Sequence, residues 1–598
     1  MAAAPAYSRR DVLDLVRQYW GFDTLRPIQE DAIRAALRGQ DSLVVMPTGG
    51  GKSLCFQVPP LVTGQLAIVV SPLIALMKDQ VDGLRLAGYP AAAINSGLSE
   101  AHARETLAQL DAGELRLLFL APERLLTPGM LSRLARHADR AEGSLSFAID
   151  EAHCISQWGH DFRPEYRRLA ELRETFPRAS FHAFTATATK QVQDDIIQQL
   201  RLRDAAILVG AFDRPNLTYR IMARTRLDEQ CAQIIERHRE AHRRAGGQMQ
   251  FPGATIVYCI SRKNTEDLAA ALRAKGIVAE PYHAGLDAKT RRQVQDDFAT
   301  EGLDVVVATV AFGMGIDRSN VRCVIHAAMP KSVEHFQQET GRAGRDGLPA
   351  ECILLYSAGD AARWRQVLTT AAAETGSEEG LQIQLDLLAR MQRFASGAAC
   401  RHRALADYFG QPYAPPAESK QGCGACDVCL NERTEAADST TIARKILSCV
   451  ARVNQAGTPF GAAHIANILR GRDTQKILDY RHHQLSTFGL LRDTPRHAIL
   501  SYIDQLVAMG ALAQGGEFPV LGLTERSVAV LKGQEPVALV EPAGGRADAE
   551  RARERPGRGE RQAASPAAAL SDEDAALFDA LRRFRYQLAH SFQEVQAR

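Results

Sequence analysis

Four groups of residues in this sequence are spaced for chemistry. Met46-Pro-Thr-Gly-Gly-Gly-Lys-Ser53 follows an apolar run and precedes a helical pattern. Thr48, Gly49, Gly50 and Gly51 would present backbone N–H groups at a helix N-terminus, the donor set that cradles phosphate. Lys52 can reach the β and γ oxygens, and the Ser53 hydroxyl can ligate Mg2+. Met46 stands where the bare consensus has glycine, so a glycine-rich turn is the competing reading. Downstream, Asp150-Glu-Ala-His153 closes another apolar run. There Asp150 can hold Mg2+ through its water shell, and Glu151 can orient or deprotonate the attacking water. Third, Arg342 and Arg345 sit at i, i+3 among Gly341, Gly344 and Gly347. Such an arginine can cross a lobe interface and stabilise charge on a γ-phosphate; surface salt bridges are the bland alternative.

The fourth group is Cys423-x2-Cys426-x2-Cys429, with Cys400 upstream on a helical segment. Four thiolates suit tetrahedral Zn2+ in a structural site. The same three-cysteine spacing also opens iron–sulfur motifs, although no fourth cysteine follows at the ferredoxin interval. The other seven of the 11 cysteines (Cys55, Cys154, Cys231, Cys259, Cys323, Cys352 and Cys449) are scattered singly and read as small buried hydrophobes.

The elements that must position these groups show as apolar runs alternating with amphipathic helical stretches. Ser42-Leu-Val-Val-Met46, Leu66-Ala-Ile-Val-Val-Ser71, Leu117-Leu-Phe-Leu120 and Ser146-Phe-Ala-Ile-Asp150 read as strands buried on both faces of a parallel sheet. A second series begins near Asp213-Arg-Pro-Asn216 and includes Ala254-Thr-Ile-Val-Tyr258 and Asp304-Val-Val-Val-Ala-Thr309. The polar stretch 240–253 reads as a surface loop. The fold class is therefore α/β: two tandem parallel-sheet lobes that resemble RecA-like lobes, then a helical four-cysteine module and a domain that resembles a winged-helix domain. The expected bounds are 1–208 and 209–355 for the lobes, 356–435 for the cysteine module and 436–536 for the winged helix. A linker over 537–568 and a lone amphipathic helix in 569–598 complete the chain.

Between residues 22 and 347 the chain resembles a superfamily-2 helicase, specifically the RecQ family of DNA helicases. Phe22, Arg26 and Gln29 match the adenine-recognising motif, and the family's own phosphate loop carries the methionine. Ser71-Pro-Leu-Ile-Ala-Leu-Met-Lys-Asp-Gln80 and Ala121-Pro-Glu-Arg124 match strand-contacting motifs. Thr185-Ala-Thr187 matches the coupling motif, and residues 308–317 the fifth motif. Cys154-Ile-Ser-Gln-Trp-Gly-His-Asp-Phe-Arg-Pro164 resembles the aromatic-rich loop that senses single-stranded DNA. In it Trp158 and Phe162 can stack on bases while Arg163 contacts the strand. The resemblance implies zinc at the cysteines and an ATP- and Mg2+-dependent enzyme. It implies 3′→5′ translocation on single-stranded DNA and duplex unwinding in recombination and repair. Residues 436–533 resemble this family's winged helix, where Arg470, Arg472 and Lys476 are candidate phosphate contacts. The tail departs from the family: the helix over 575–588 stops short of a domain.

Composition bounds the reading without deciding it. With 45% hydrophobic residues, 24% charged and a net charge of +2, any DNA track must be local. The absence of a long apolar run and of a signal sequence predicts a cytoplasmic protein with no membrane partner. Single-stranded and duplex DNA are the expected partners, with a single-strand-binding protein a further one, for a monomer associated with the bacterial nucleoid. Two rival functions remain: an RNA-remodelling Asp-Glu-Ala-His ATPase, and an ATP-independent DNA-binding scaffold.

Overall fold

The computed structural model describes residues 7–541, except 73, 96–97, 141–144, 160, 245–252, 313–317, 358, 376–377, 417–421, 434 and 516–519. The helix expected over 575–588, most of the expected linker and the end of the fifth motif lie outside the described residues.

Each lobe is built on one parallel sheet. In lobe 1 the strands are β1 (Ser42–Val45), β2 (Leu66–Val70), β3 (Ala91–Ile94), β4 (Leu117–Leu120), β5 (Leu145–Ile149), β6 (Ser180–Thr185) and β7 (Ala206–Val209). They lie in the order β3-β4-β2-β5-β6-β1-β7. Alternate residues of β1 enter different cores: Leu43 and Val45 pack into one, Val44 into the other. That is why the strand reads as an unbroken apolar run rather than an alternation. Lobe 2 repeats the plan with β8 (Leu217–Ala223), β9 (Ala254–Tyr258), β10 (Glu280–Tyr282), β11 (Val305–Ala308), β12 (Val321–His326) and β13 (Ala350–Tyr356). Their order is β10-β11-β9-β12-β13-β8. The helix Leu227–Arg244 runs into the stretch read as a surface loop from 240, so its polarity reflects an exposed helix face.

The cysteine module follows on helices Gly359–Thr375, Glu378–Ser396 and Arg401–Tyr408. Cys400 caps the third helix rather than lying within it. The cysteine loop closes the open edge of lobe 2: Tyr219 N–H donates to Ala425 O at 3.1 Å, and Asp427 N–H to Tyr219 O at 2.9 Å. An uncovered edge strand is a pairing hazard, and this contact removes it. Arg401, 1% exposed, forms a fork with buried Asp427 at 2.9 and 3.1 Å, holding the neighbour of Cys400 against the loop between Cys426 and Cys429. Removing one partner of such a buried pair costs about 3–5 kcal/mol, because the other charge is left uncompensated.

The same module straps the inter-lobe linker. Gln411 donates from Nε2 to Gly210 O at 2.8 Å and accepts from Phe212 N–H at 2.8 Å. The Phe212 and Phe409 rings stack at 4.2 Å between centroids. The winged-helix unit packs helices Ser439–Gln455, Ala462–Leu469 and Arg496–Ala508 against the hairpin β14 (Leu512–Gly515) and β15 (Val520–Leu523). It runs past the expected boundary at 536. Val537 and Leu539 are buried in its core, and Gln505 bonds both backbone polar groups of Val540 at 2.8 Å. Among the described residues, no helix is long and apolar enough to cross a membrane.

Candidate nucleotide site and nucleic-acid interface

The phosphate loop leaves β1 and enters the helix Lys52–Thr63 through Gly51, which caps it at φ 81°. Glycine is required here for two reasons. The left-handed conformation disfavours a side chain, and a Cβ on Gly51 would lie 2.3 Å from Gln29 Nε2. Gln29 is buried and donates from that nitrogen to Gly50 O and Gly51 O at 3.3 and 3.2 Å. Its Oε1 accepts from Arg26 N–H at 2.8 Å, and Arg26 Nη1 donates to Gly49 O at 3.1 Å. Phe22 is 52% exposed, a large apolar ring facing water. Two of the residues matched to adenine recognition, Arg26 and Gln29, therefore sit directly on the loop that would hold the phosphates. Lys52 Nζ donates to Met46 O at 3.2 Å.

Asp150 emerges from β5, with β6 lying between it and β1. Burial, then the Glu151 carboxylate beside it, push the Asp150 carboxyl well above the usual range, against the pull of Lys52. Burial works in the same sense on Glu151, but the bond from His153 and the charges of His153, Lys52 and Arg342 hold it low. A buried and a part-buried carboxylate under the charge of a lysine, with a hydroxyl-bearing phosphate loop in the same lobe, are a donor set that suits Mg2+. Glu151 takes φ 48°, a left-handed conformation that a non-glycine residue adopts at a cost of about 1–3 kcal/mol. His153 Nδ1 lies 2.9 Å from Thr185 Oγ1 and 3.3 Å from Glu151 Oε2, so the acidic strand end is tied to the coupling motif.

Lobe 2 closes the site. Arg342 and Arg345 follow the helix Val333–Thr340 in a glycine-rich turn. Arg345 Cγ stands 3.3 Å from the place a Gly49 Cβ would take, and Gly341 packs at 3.1 Å against Thr48 Cβ by the same measure. Arg342 is buried, and its charge reaches Glu151. Sequence reading missed two residues that face lobe 1 from this side. Lys331, held low by burial first, feels the Asp161 carboxylate, and the His335 ring, pushed well below its ordinary pKa by burial first, also feels Lys331 and His153. No local pattern distinguishes Lys331, in the bend before the helix Val333–Thr340, or His335, on that helix, from other polar positions.

The aromatic-rich loop starts from a one-turn helix, Ala152–Ile155, directly after Asp150 and Glu151. Trp158 is 43% exposed, a large apolar ring facing water, which argues against a role in core packing. Phe162 is half-buried, with the Arg167 guanidinium 5.0 Å above its ring. Arg163 is shared between Asp161 at 3.2 Å and Pro72 O at 3.4 Å, joining the loop to a strand-contacting motif. Gly159 admits no side chain: a Cβ would stand 2.5 Å from His153 O. The loop is therefore pressed against the same histidine that contacts Glu151 and Thr185.

The ligand atoms of Cys400, Cys423, Cys426 and Cys429 all lie within 4.8 Å of one another, as a tetrahedral site requires. Backbone N–H groups of Cys423, Ala425 and Cys429 point at cysteine sulfurs at 3.3–3.4 Å, the arrangement that stabilises thiolates. The other seven cysteines are all buried, as expected. On the winged helix, Arg472 is exposed while Lys476 stands 5.3 Å over the Phe460 ring.

Two parallel-sheet lobes sharing one phosphate site, with an aromatic loop wired to that site, define a two-lobed nucleic-acid motor of the helicase class. Family models match in chain order: DEAD/DEAH box helicase over residues 26–195, helicase conserved C-terminal domain over 234–347, RecQ zinc-binding over 358–430 and RQC domain over 433–547. The ATP-dependent DNA helicase RecQ of Haemophilus influenzae is 40% identical over 533 residues, 89% of this chain and 81% of that protein. The RecQ protein of Bacillus subtilis is 36% identical over 578 residues, 96% of this chain and 89% of its own. The chain belongs to the RecQ family of DNA helicases. Zinc at the cysteine module, and ATP with Mg2+ at the motor, follow for this chain.

Proposed function

We propose that this protein translocates 3′→5′ on single-stranded DNA and unwinds duplexes during recombination and repair. The observation that carries the reading is the composite site: Arg345 of lobe 2 against Gly49 of the phosphate loop, with Arg342 felt by Glu151. Polarity and cellular role rest on family membership. Lys52 and the N–H groups of residues 48–51 hold the phosphates, Ser53 and Asp150 face Mg2+, and Phe22, Arg26 and Gln29 bind the adenine. When bound, Mg2+ supplies charge neutralisation between the phosphates. Glu151, held ionised by its cationic neighbours, takes the proton of the attacking water. Arg345 offsets the charge that develops on the departing phosphoryl group, while His153 first, then Lys52 and Arg342, keep Glu151 low. Trp158, Phe162 and Arg163 bind the strand, and His153 carries their displacement to Glu151 and Thr185. The domain bounds we assign are those expected from sequence, with the winged helix extended to 541. A monomer working at the nucleoid, with a single-strand-binding protein as partner, completes the reading.

Steady-state ATP hydrolysis with and without single-stranded DNA tests it directly. Wild type should be strongly stimulated by DNA and much less by RNA of the same length. Trp158→Ala should keep the basal rate and lose most of the stimulation. Hydrolysis indifferent to DNA would sink the coupling scheme, and equal stimulation by RNA would favour an RNA-remodelling ATPase. Glu151→Gln should lower kcat by about 10²–10⁴-fold, the range for removing a general base, while fluorescent-nucleotide binding persists. Retained turnover in that variant would remove Glu151 from the mechanism.

A further inference from the structure

Asp213-Arg-Pro-Asn216 has no role in the scheme above, yet it touches both halves of the nucleotide site. Arg214 Nη2 donates to Gly344 O at 2.7 Å and Ala343 O at 3.1 Å. Its Nη1 lies 3.4 Å from Thr48 O and 3.5 Å from Gly341 O. All four acceptors are backbone carbonyls, one in the phosphate loop and three in the turn that carries Arg342 and Arg345. Asn216 completes the grip. Its Oδ1 accepts from Arg214 Nε at 3.3 Å, and its Nδ2 donates to Gly344 O and Leu348 O, both at 3.0 Å. Gly344, at φ 57°, cannot carry a side chain here, since a Cβ would lie 2.5 Å from Asn216 Nδ2.

The segment is anchored at both ends, the far one by Ala350 N–H donating to Asn216 O at 3.0 Å. Gly210 N–H donates to Val45 O at 2.8 Å, at the end of the strand that feeds the phosphate loop, and Gln411 straps Gly210 and Phe212 to the zinc module. Gln337 Nε2 donates to Phe212 O at 3.1 Å. A guanidinium on this linker can span Thr48 O and Gly341 O only while the lobes are together. Once they part, it keeps its lobe-2 carbonyls and loses the one in lobe 1.

We propose that Arg214 is a positioning residue for hydrolysis: its guanidinium sets the Arg342–Arg345 turn on the phosphate loop and does so only in the closed cleft. The proposal rests on the arginine assignment made above. It does not require Arg214 to touch the nucleotide. The planar fork matters, because one guanidinium must serve carbonyls in several directions that an ammonium cannot serve together.

The test is steady-state hydrolysis by the full-length, zinc-loaded protein at saturating single-stranded DNA. Arg214→Ala should lower kcat by up to about 100-fold, the effect expected of misplacing a catalytic group by about 1 Å. The KM for ATP and the Kd for DNA should stay within about threefold, since both ligands' own contacts are intact; a merely structural defect would move them together with kcat. Arg214→Lys should not restore kcat. If Arg214 acts through Arg345, the double variant should be no slower than Arg345→Ala alone. Unchanged kcat in Arg214→Ala, full rescue by lysine, or additive losses would overturn the proposal. Should Arg214→Ala lose zinc or melt early, Asn216→Ala carries the test: a partial kcat loss with KM held supports the clamp, and a wild-type kcat refutes it. Arg345→Ala separates the two readings. If that variant keeps its kcat, the arginine assignment fails and the clamp falls with it; if it is crippled while Arg214→Ala is not, only the clamp fails.

Discussion

Arg345→Ala should lower kcat for DNA-stimulated ATP hydrolysis by about 10³-fold or more, with the affinity for ATP little changed. In the proposed scheme most nucleotide contacts come from lobe 1: the loop N–H groups, Lys52, Phe22, and the Arg26 and Gln29 side chains that bond the Gly49–Gly51 backbone. Arg345 comes up to Gly49 from across the cleft, with its Cγ 3.3 Å from the Cβ position of that glycine, nearer than the Arg214 Nη1 at 3.8 Å. In that scheme the Arg345 charge acts where the transition state gains negative charge, not where the ground state is bound. Losing a factor of 10³ corresponds to about 4 kcal/mol of transition-state stabilisation, which is reasonable for a guanidinium in a site partly closed to water. Lysine should rescue little, because its ammonium is shorter in reach across the fork and strongly hydrated. Measuring kcat by single-turnover hydrolysis, and binding by nucleotide titration, separates the two effects. A loss below about tenfold, or one confined to KM, would assign the turn to binding alone.

The second large effect concerns the metal. Cys426→Ser should yield a protein without stoichiometric zinc, with an early melting transition and no DNA-stimulated hydrolysis. Cys426 is fully buried, and its neighbour Asp427 holds Arg401. Structural zinc contributes about 10–16 kcal/mol in small metal-binding peptides, as much as the whole stability of an ordinary domain, about 5–15 kcal/mol. The metal-free module should therefore unfold rather than relax. Its loss reaches the motor by two routes visible in the structure. The cysteine loop would leave the edge strand β8, and Phe409 and Gln411 would release the inter-lobe linker. Metal analysis, thermal melting and ATPase assays on one preparation check all three consequences. A Cys426→Ser protein with full zinc content and wild-type melting would refute the four-thiolate assignment.

The two predictions differ in how far the sequence alone supports them. The cysteine cluster, the phosphate loop and Asp150-Glu-Ala-His153 are legible because each is compact along the chain. A loop that must present successive N–H groups needs glycines at fixed places, and three closely spaced thiolates have few other uses. The central strands β1, β2, β4, β5, β9 and β11 were legible as well, since a sheet buried on both faces leaves continuous apolar runs, whereas β7 and β8 at the sheet edges alternate in burial and were not read. Local spacing could not show that Cys400 caps a helix instead of sitting on it, or that the winged helix continues to Val540. Nor could it show that the helix Leu227–Arg244 extends into a stretch polar enough to resemble a loop.

Only the tertiary structure decided what faces what across the cleft. Arg345 meets Gly49, Lys331 and His335 face the sensing loop and His153, and Arg214 bridges Thr48 to the Arg342–Arg345 turn. These partners are far apart in the chain and belong to lobes with separate cores, so neither lobe's periodicity carries information about the other. The chemistry each lobe contributes is determined by short-range backbone and side-chain requirements, and those are written in the sequence. The assembly of that chemistry into one site depends on packing between two independent surfaces and on the linker and zinc module that hold them, and no local residue pattern encodes it.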